Sequence, residues 1–230
     1  LSTDHNPRHG LISPYWGGVN AVAESMQNVA AVGATPHALS DCLCFGNPEK
    51  LHQMWEFVES VRGVADACHA ITLKDSPNDA TPIIAGNVSF YNESKNGPIP
   101  PSPIVSCLGR FKDVNKAVPA HFQNNDSVIL LIGERKNELG GSVYYSLKNE
   151  LGANVPKPIL EEVKNQIFAL TDCIDEGLVL SCHDISDGGI ASALSEMTFG
   201  NGIGCHVNTD GDLPNDQLLF SETGGFIVEV

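Results

Sequence analysis

The sequence predicts an α/β (α+β) chain organised as two domains. Three observations carry this. Helical and strand-like apolar patterns alternate along the chain, a polar stretch near its middle interrupts them, and the composition is that of a packed globular protein: 42% apolar and 18% charged residues over 230 positions. A chain of this length can bury a proper core.

The elements follow in order. Residues 17–32 place Val19, Val22, Ala23, Met26, Val29 and Ala30 at helical spacing; Gly33 is suited to the position after the helix end, and Pro36 prevents continuation. "HALSDCLCF" reads as a strand, and "GNPEK" opens a second helix with Leu51, Met54, Trp55, Val58, Val61, Ala65 and Cys68 on one stripe. Residues 72–79 read as a polar loop, 81–93 ("TPIIAGNVSFYNE") as a strand and its exit, 95–103 as a further loop and 104–111 as a strand. The polar connector over 112–126 places a domain boundary, giving domains 1–115 and 116–230. Beyond it, "SVILLIG" (127–133) reads as a fully apolar and therefore buried strand. "LGGSVYYSL" is a Gly-rich turn into a helix. Residues 156–177 form an amphipathic helix with Ile159, Leu160, Val163, Ile167, Leu170 and Ile174 inward. "LVLSCHDISDGGIASALSEM" passes from strand to helix, and "GIGCHV" and "GGFIVEV" read as strands.

With 28 acidic and 13 basic residues the formal net charge is -15, which argues against a nucleic-acid or anionic-membrane surface. Phosphate ligands stay open, because divalent cations and backbone N–H groups bind phosphate without net positive charge. No apolar stretch approaches the roughly 18–20 residues that span a bilayer. The seven Cys (42, 44, 68, 107, 173, 182 and 205) are expected to be reduced and structural, which implies a cytoplasmic compartment; C-x-C at 42–44 is poor evidence for zinc without a second pair. Both ends read as cut, the last within a strand.

Two stretches carry chemistry. In "CHDISDGGIASALSEM" a strand ends at His183-Asp184, Asp187-Gly188-Gly189 turns sharply, and Ile190, Ala193, Leu194 and Met197 face inward on a helix. Carboxylates there could take a cation while free helix N–H groups take an anion; an Asp cap on a tight turn is the plainer alternative. In "SDCLCFGNPEK", Asp41 leaves an apolar strand and needs a partner or an exposed strand end. "LGGS" (139–142) is a weak candidate phosphate loop, and "TDHNPRH" (3–9) gathers Asp4, Asn6, Arg8, His5 and His9 in what reads as a surface loop. There is no P-loop, no G-x-G-x-x-G and no G-x-S-x-G elbow.

Taken in order, "SPYWGGVNAVAESMQNVAAVGATPHALSDCLCFGNPEK", "MWEFVESVRGVADAC", "TPIIAGNVSFYNES" and "HDISDGGIASALSEM" resemble the second half of phosphoribosylformylglycinamidine synthase, small-type subunit, within the aminoimidazole ribonucleotide synthetase-like superfamily. The resemblance covers essentially the whole chain. It implies an N-terminal-type ATP/substrate-binding domain (1–115) and a C-terminal-type α/β domain (116–230), with mixed sheets covered by helices. In that family ATP phosphorylates the formamide oxygen of formylglycinamide ribonucleotide, and ammonia from a glutaminase partner then displaces phosphate, with magnesium required. Carried over, the resemblance makes Asp41 and Gly86 ATP contacts, Asn87 a magnesium ligand and Ser89 a substrate contact. Asp184 and Asp187 match an auxiliary nucleotide and metal stretch.

It also implies partners: the first half of the same enzyme, a glutaminase subunit and a small accessory subunit. That first half would carry the catalytic His and the main acidic metal ligands, so this chain is expected to be inactive alone. The sequence departs from the pattern at Cys44 (usually Asn), Leu51 (usually Pro) and His5 (commonly Gly), and the 72–79 stretch looks like an insertion between Asp41 and Gly86. Another ATP-dependent enzyme of the superfamily, or a non-catalytic nucleotide-binding scaffold, are the alternatives.

Overall fold

The computed structural model describes residues 1–209 and 211–230. Its elements are β1 (Ser2–Asp4), α1 (Pro7–Ile12), α2 (Pro14–Ala31), β2 (Thr35–Cys44), α3 (Leu51–Ala70), β3 (Thr72–Leu73), β4 (Ser76–Ala80), β5 (Ile83–Ser89), β6 (Glu93–Ser94), β7 (Gly97–Pro98) and β8 (Ser102–Arg110). There follow β9 (Ile129–Ile132), α4 (Val143–Ser146), α5 (Leu160–Asp175), β10 (Ser181–Asp184), α6 (Gly189–Met197), α7 (Asn215–Phe220) and β11 (Phe226–Glu229). One four-stranded sheet has the order β1-β8-β2-β5, and a three-stranded sheet has the order β10-β11-β9. Only β2–β5 pairs in parallel in these two sheets; the other pairings are antiparallel.

The central helix α2 is set by its ends and its small residues. Ser13 caps it by accepting from Trp16 N–H, Pro14 occupies the first turn, and Gly33 takes φ +97 just beyond the end. Val19, Val22, Ala23, Met26, Val29 and Ala30 are all buried, as their spacing predicts. They join Val64 and Ala67 of α3, Val105 and Cys107 of β8, and Val163, Ile167 and Leu170 of α5 in one continuous core. The α2–α3 packing is close: a Cβ on Gly18 would stand 2.3 Å from the Ser60 carbonyl, and one on Gly63 would stand 2.0 Å from that of Tyr15.

That closeness explains one correction. The predicted apolar stripe of α3 faces the core only at its end: Leu51, Met54, Trp55 and Val58 are exposed, Val61 and Ala65 are half-buried and Cys68 is buried, and the other buried residues, Gln53, Ser60, Gly63, Val64 and Ala67, lie off the stripe. A tight helix–helix contact selects small side chains and leaves the bulkier ones outside. Other expectations also shift. Residues 72–79 form most of the β3–β4 hairpin, and the predicted 95–103 loop includes β7 of the small β6–β7 ribbon and the start of β8. The apolar run at 127–133 is an edge strand with Leu130 and Leu131 about half exposed, because periodicity cannot tell an edge from a centre. "GIGCHV" forms no strand, and Ile159 caps α5 in an exposed position. No helix among the described residues is long and apolar enough to cross a membrane, and all seven cysteines are unpaired.

Candidate functional site

Strand β5 carries the first group of residues. It is the edge of the four-stranded sheet and lies in parallel register with β2, so that Asp41 pairs with Gly86, Cys42 with Asn87 and Cys44 with Ser89. Alternation along a strand therefore puts Asn87, Ser89, Cys42 and Cys44 on one face, and Asp41 and Gly86 on the other, which α2 and α3 partly cover. Asp41 is not at a strand end as expected; it sits within β2, and the missing side chain of Gly86 makes room for its carboxylate. A Cβ on Gly86 would fall 2.0 Å from Asp41 Oδ1. Partial burial raises the Asp41 pKa, and the carboxylate accepts no hydrogen bond from the described residues. Gly86 thus serves Asp41 in this structure.

On the opposite face, Asn87 is exposed with its Nδ2 3.4 Å from Cys42 Sγ, while its carbonyl oxygen has no protein partner among the described residues. Ser89 is held by the exit turn: Asn92 Nδ2 donates to Ser89 O at 2.9 Å, to Ser89 Oγ at 3.0 Å and to Phe45 O at 3.0 Å. Asn92 lies in the "FYNE" exit of β5, where no local sequence pattern marks a role for it. Its three bonds, with Tyr91 at φ 60, make it the residue that positions Ser89.

A second group surrounds the β10–α6 turn. Asp184 ends β10 and is buried with Oδ2 unpartnered, and Asp187 stands in the turn before α6. Asp4 of β1 and Glu24 of α2 lie beside them. Burial raises the Asp4 carboxyl to about 6, and burial followed by the charges of Asp4, Asp184 and Asp187 drives Glu24 well above the ordinary range. The side-chain interaction between Glu24 and Asp4 lowers Asp4 and raises Glu24, and Asp184 and Asp187 are raised chiefly by burial. Glu222 adds a fifth carboxyl: Oε1 accepts from Val143 N and Gly188 N at 2.8 Å each, Oε2 has no hydrogen-bond partner, and burial raises it to about 7. His9 Nε2 lies 3.8 Å from Glu222 Oε2, and burial lowers that imidazole to about 4.

Two sequence expectations are narrowed by these bonds. The Gly188 amide at the start of α6 is taken by Glu222 and that of Gly189 by Ser186 O, so the turn offers fewer free N–H groups to an anion than the diglycine suggested. In "LGGS" the amides of Gly140, Gly141 and Ser142 go to Asn154 O, Leu151 O and Leu139 O, which leaves no phosphate loop there. In 3–9, Asn6 caps α1 and Arg8 donates to the carbonyls of Gly141 and Glu150, so these two residues are structural. Among the described residues no three of His, Cys, Asp or Glu converge on one metal position. Asn87 offers one neutral oxygen, so it fits magnesium only as a contributor whose remaining ligands come from phosphates, water and other side chains.

Comparison with known proteins identifies the family. The model described as AIR synthase related protein, N-terminal domain, matches residues 1–111, and that of the C-terminal domain matches residues 124–230. The chain belongs to the AIR synthase related family. Its relatives include the phosphoribosylformylglycinamidine synthase subunit PurL of Methanothrix thermoacetophila, 48% identical over 233 residues, and that of Methanocaldococcus jannaschii, 40% identical over 240 residues. These cover 100% and 99% of this chain, which spans 30% and 32% of the length of the two relatives. The fold is also that of T. maritima PurL complexed with FGAR (TM-score 0.73, 18% identity, 99% of this chain and 36% of that one). PurL of the same organism complexed with AMPPCP aligns with TM-score 0.70, 20% identity, and 100% and 35% coverage.

Proposed function

We propose that this chain forms part of an ATP-dependent amidoligase that converts formylglycinamide ribonucleotide and glutamine-derived ammonia into formylglycinamidine ribonucleotide, in the cytoplasm. Residues 1–115 act as its ATP- and substrate-binding domain and 116–230 as its C-terminal-type domain. The observation that carries this reading is the edge strand β5 in register with β2, a pair that presents Asp41 of β2 and Gly86 of β5 on one face and Asn87 and Ser89 of β5 on the other. A ligand as long as a nucleoside triphosphate can straddle this edge, beyond which no further strand pairs among the described residues. Asp41 contacts the nucleotide and Gly86 keeps the Asp41 carboxylate in place. Asn87 lends its amide oxygen to magnesium, and Ser89, held by Asn92, contacts the ribonucleotide. Magnesium supplies charge neutralisation on the transferring phosphoryl group when bound. Asp184 and Asp187 form an auxiliary nucleotide–metal position; the unpartnered buried Oδ2 of Asp184 supports it.

The remaining groups belong to the first half of the same enzyme, and ammonia comes from a glutaminase subunit assembled with a small accessory subunit. The test is reconstitution of the whole synthase and assay of ATP hydrolysis that depends on formylglycinamide ribonucleotide. Asn87→Leu removes a metal-ligand oxygen and is expected to lower turnover by about 100-fold, the upper end of what disturbed metal shells cost. Normal turnover in Asn87→Leu would refute the magnesium assignment.

A further inference from the structure

The outer face of β2 brings two thiols together. Cys42 and Cys44 are half-buried on the same face, and their sulfurs stand 3.6 Å apart. A disulfide needs roughly 2.05 Å between sulfurs and Cα atoms within about 6.8 Å; residues two apart on an extended strand sit at about 6.6 Å, the far edge of that range. A bridging ion needs much less adjustment. Two thiolates bound at about 2.3 Å to one tetrahedral cation lie roughly 3.8 Å apart, close to the spacing already present. Asn87 lies beside them with one end of its amide 3.4 Å from Cys42 Sγ, and the two ends of an amide exchange by a simple flip. Turning the oxygen toward the thiols makes a third ligand, and water completes the shell.

We propose that Cys42, Cys44 and the Asn87 amide form a binding site for a single thiophilic cation of the zinc class, an occupancy that takes the amide oxygen otherwise offered to a hard cation. Two soft sulfurs select such an ion over magnesium, which prefers oxygen. Binding displaces two thiol protons to solvent and involves no change of oxidation state. It does not depend on the ATP reading, since it is scored on ion uptake and not on turnover.

Cobalt(II) reports the site directly, because thiolate ligation produces a near-ultraviolet charge-transfer band. Titration of the purified chain is expected to show one Co²⁺ per chain with that band, bleached by Zn²⁺ and unaffected by excess Mg²⁺. Cys42→Ser and Cys44→Ser each abolish the band, whereas Cys205→Ser retains it. Asn87→Ala weakens binding and keeps the band. Absence of the band in the unaltered chain, or its survival in either serine variant at 42 or 44, overturns the site. A second measurement needs no variant: phenylarsine oxide condenses with a close dithiol to form two As–S bonds and release one water. Peptide mapping should place that adduct across Cys42 and Cys44. An adduct elsewhere, or none, counts against the pairing.

Discussion

Glu222 and Glu229 lie seven residues apart, and both are buried, yet they titrate in opposite directions. Glu229 is central to its sheet and accepts from Ser181 Oγ at 2.6 Å, Ser127 Oγ at 2.7 Å, Gln123 N at 2.8 Å and Asn124 N at 2.9 Å. These four donors hold its pKa below the ordinary value despite burial. Glu222 receives two donors on one oxygen, keeps the other unpartnered, and is raised to about 7. The difference separates scaffold from site. A buried charge that the fold fully solvates fixes structure, whereas carboxyls left half-solvated, as around Asp4, Glu24, Asp184 and Glu222, are paid for only if something else completes them.

The sharpest way to break this contrast is Glu229→Ala. It orphans two hydroxyls and two amides in the interior and is expected to cost about 3–5 kcal/mol, read as a shift in the urea midpoint. Its pH signature follows from the lowered pKa. The ionised form is favoured in the folded state, so its contribution is present above the ordinary value of 4.5 and is lost as pH falls below it through the lowered folded-state value. A cost below about 1 kcal/mol would mean that the four bonds do not fix the strand.

Glu222→Gln should act in the other direction and more weakly. A carboxyl raised on folding favours the folded state below its unfolded value, and that advantage is lost as pH rises from 4.5 toward about 7. Glutamine can still accept from Val143 and Gly188 without carrying charge. The variant is expected to gain on the order of 1–3 kcal/mol at pH 8 and nothing at pH 4, seen as melting curves that converge in acid. An equal or lower melting temperature at pH 8 would show that the charge is already compensated there.

Much of this was readable in the sequence where a single element decides the outcome. The faces of α2 and α6 followed from spacing, and the shared face of Asn87 and Ser89 followed from strand alternation. The exposed stripe of α3 was not readable, because burial there depends on how closely Gly18 and Gly63 let two helices approach. Nor was the carboxyl cluster: Asp4, Glu24, Asp184 and Glu222 come from elements far apart in sequence, and only the tertiary fold brings their charges together. The register of β2 on β5 likewise lies outside any local pattern, and it sets Asp41 against Gly86.

That pairing yields the subtlest expected effect. Asp41 is a third kind of carboxylate: half-exposed, raised only by partial burial and lying in the space Gly86 leaves open. Gly86→Ala must push the carboxylate aside, because the new Cβ would stand 2.0 Å from Oδ1. The strain falls on one short side chain and is partly offset by the lower backbone entropy of alanine, so the stability change should stay below about 1 kcal/mol. In the synthase proposed above, ATP affinity discriminates between two roles for the glycine. If Gly86 acts through Asp41, Gly86→Ala and Asp41→Ala weaken ATP to similar extents, and the double variant is no worse than either, a coupling above about 0.5 kcal/mol. If the nucleotide itself needs the open backbone at Gly86, the two losses add, and the role of the carboxylate is separate from that of the glycine beside it.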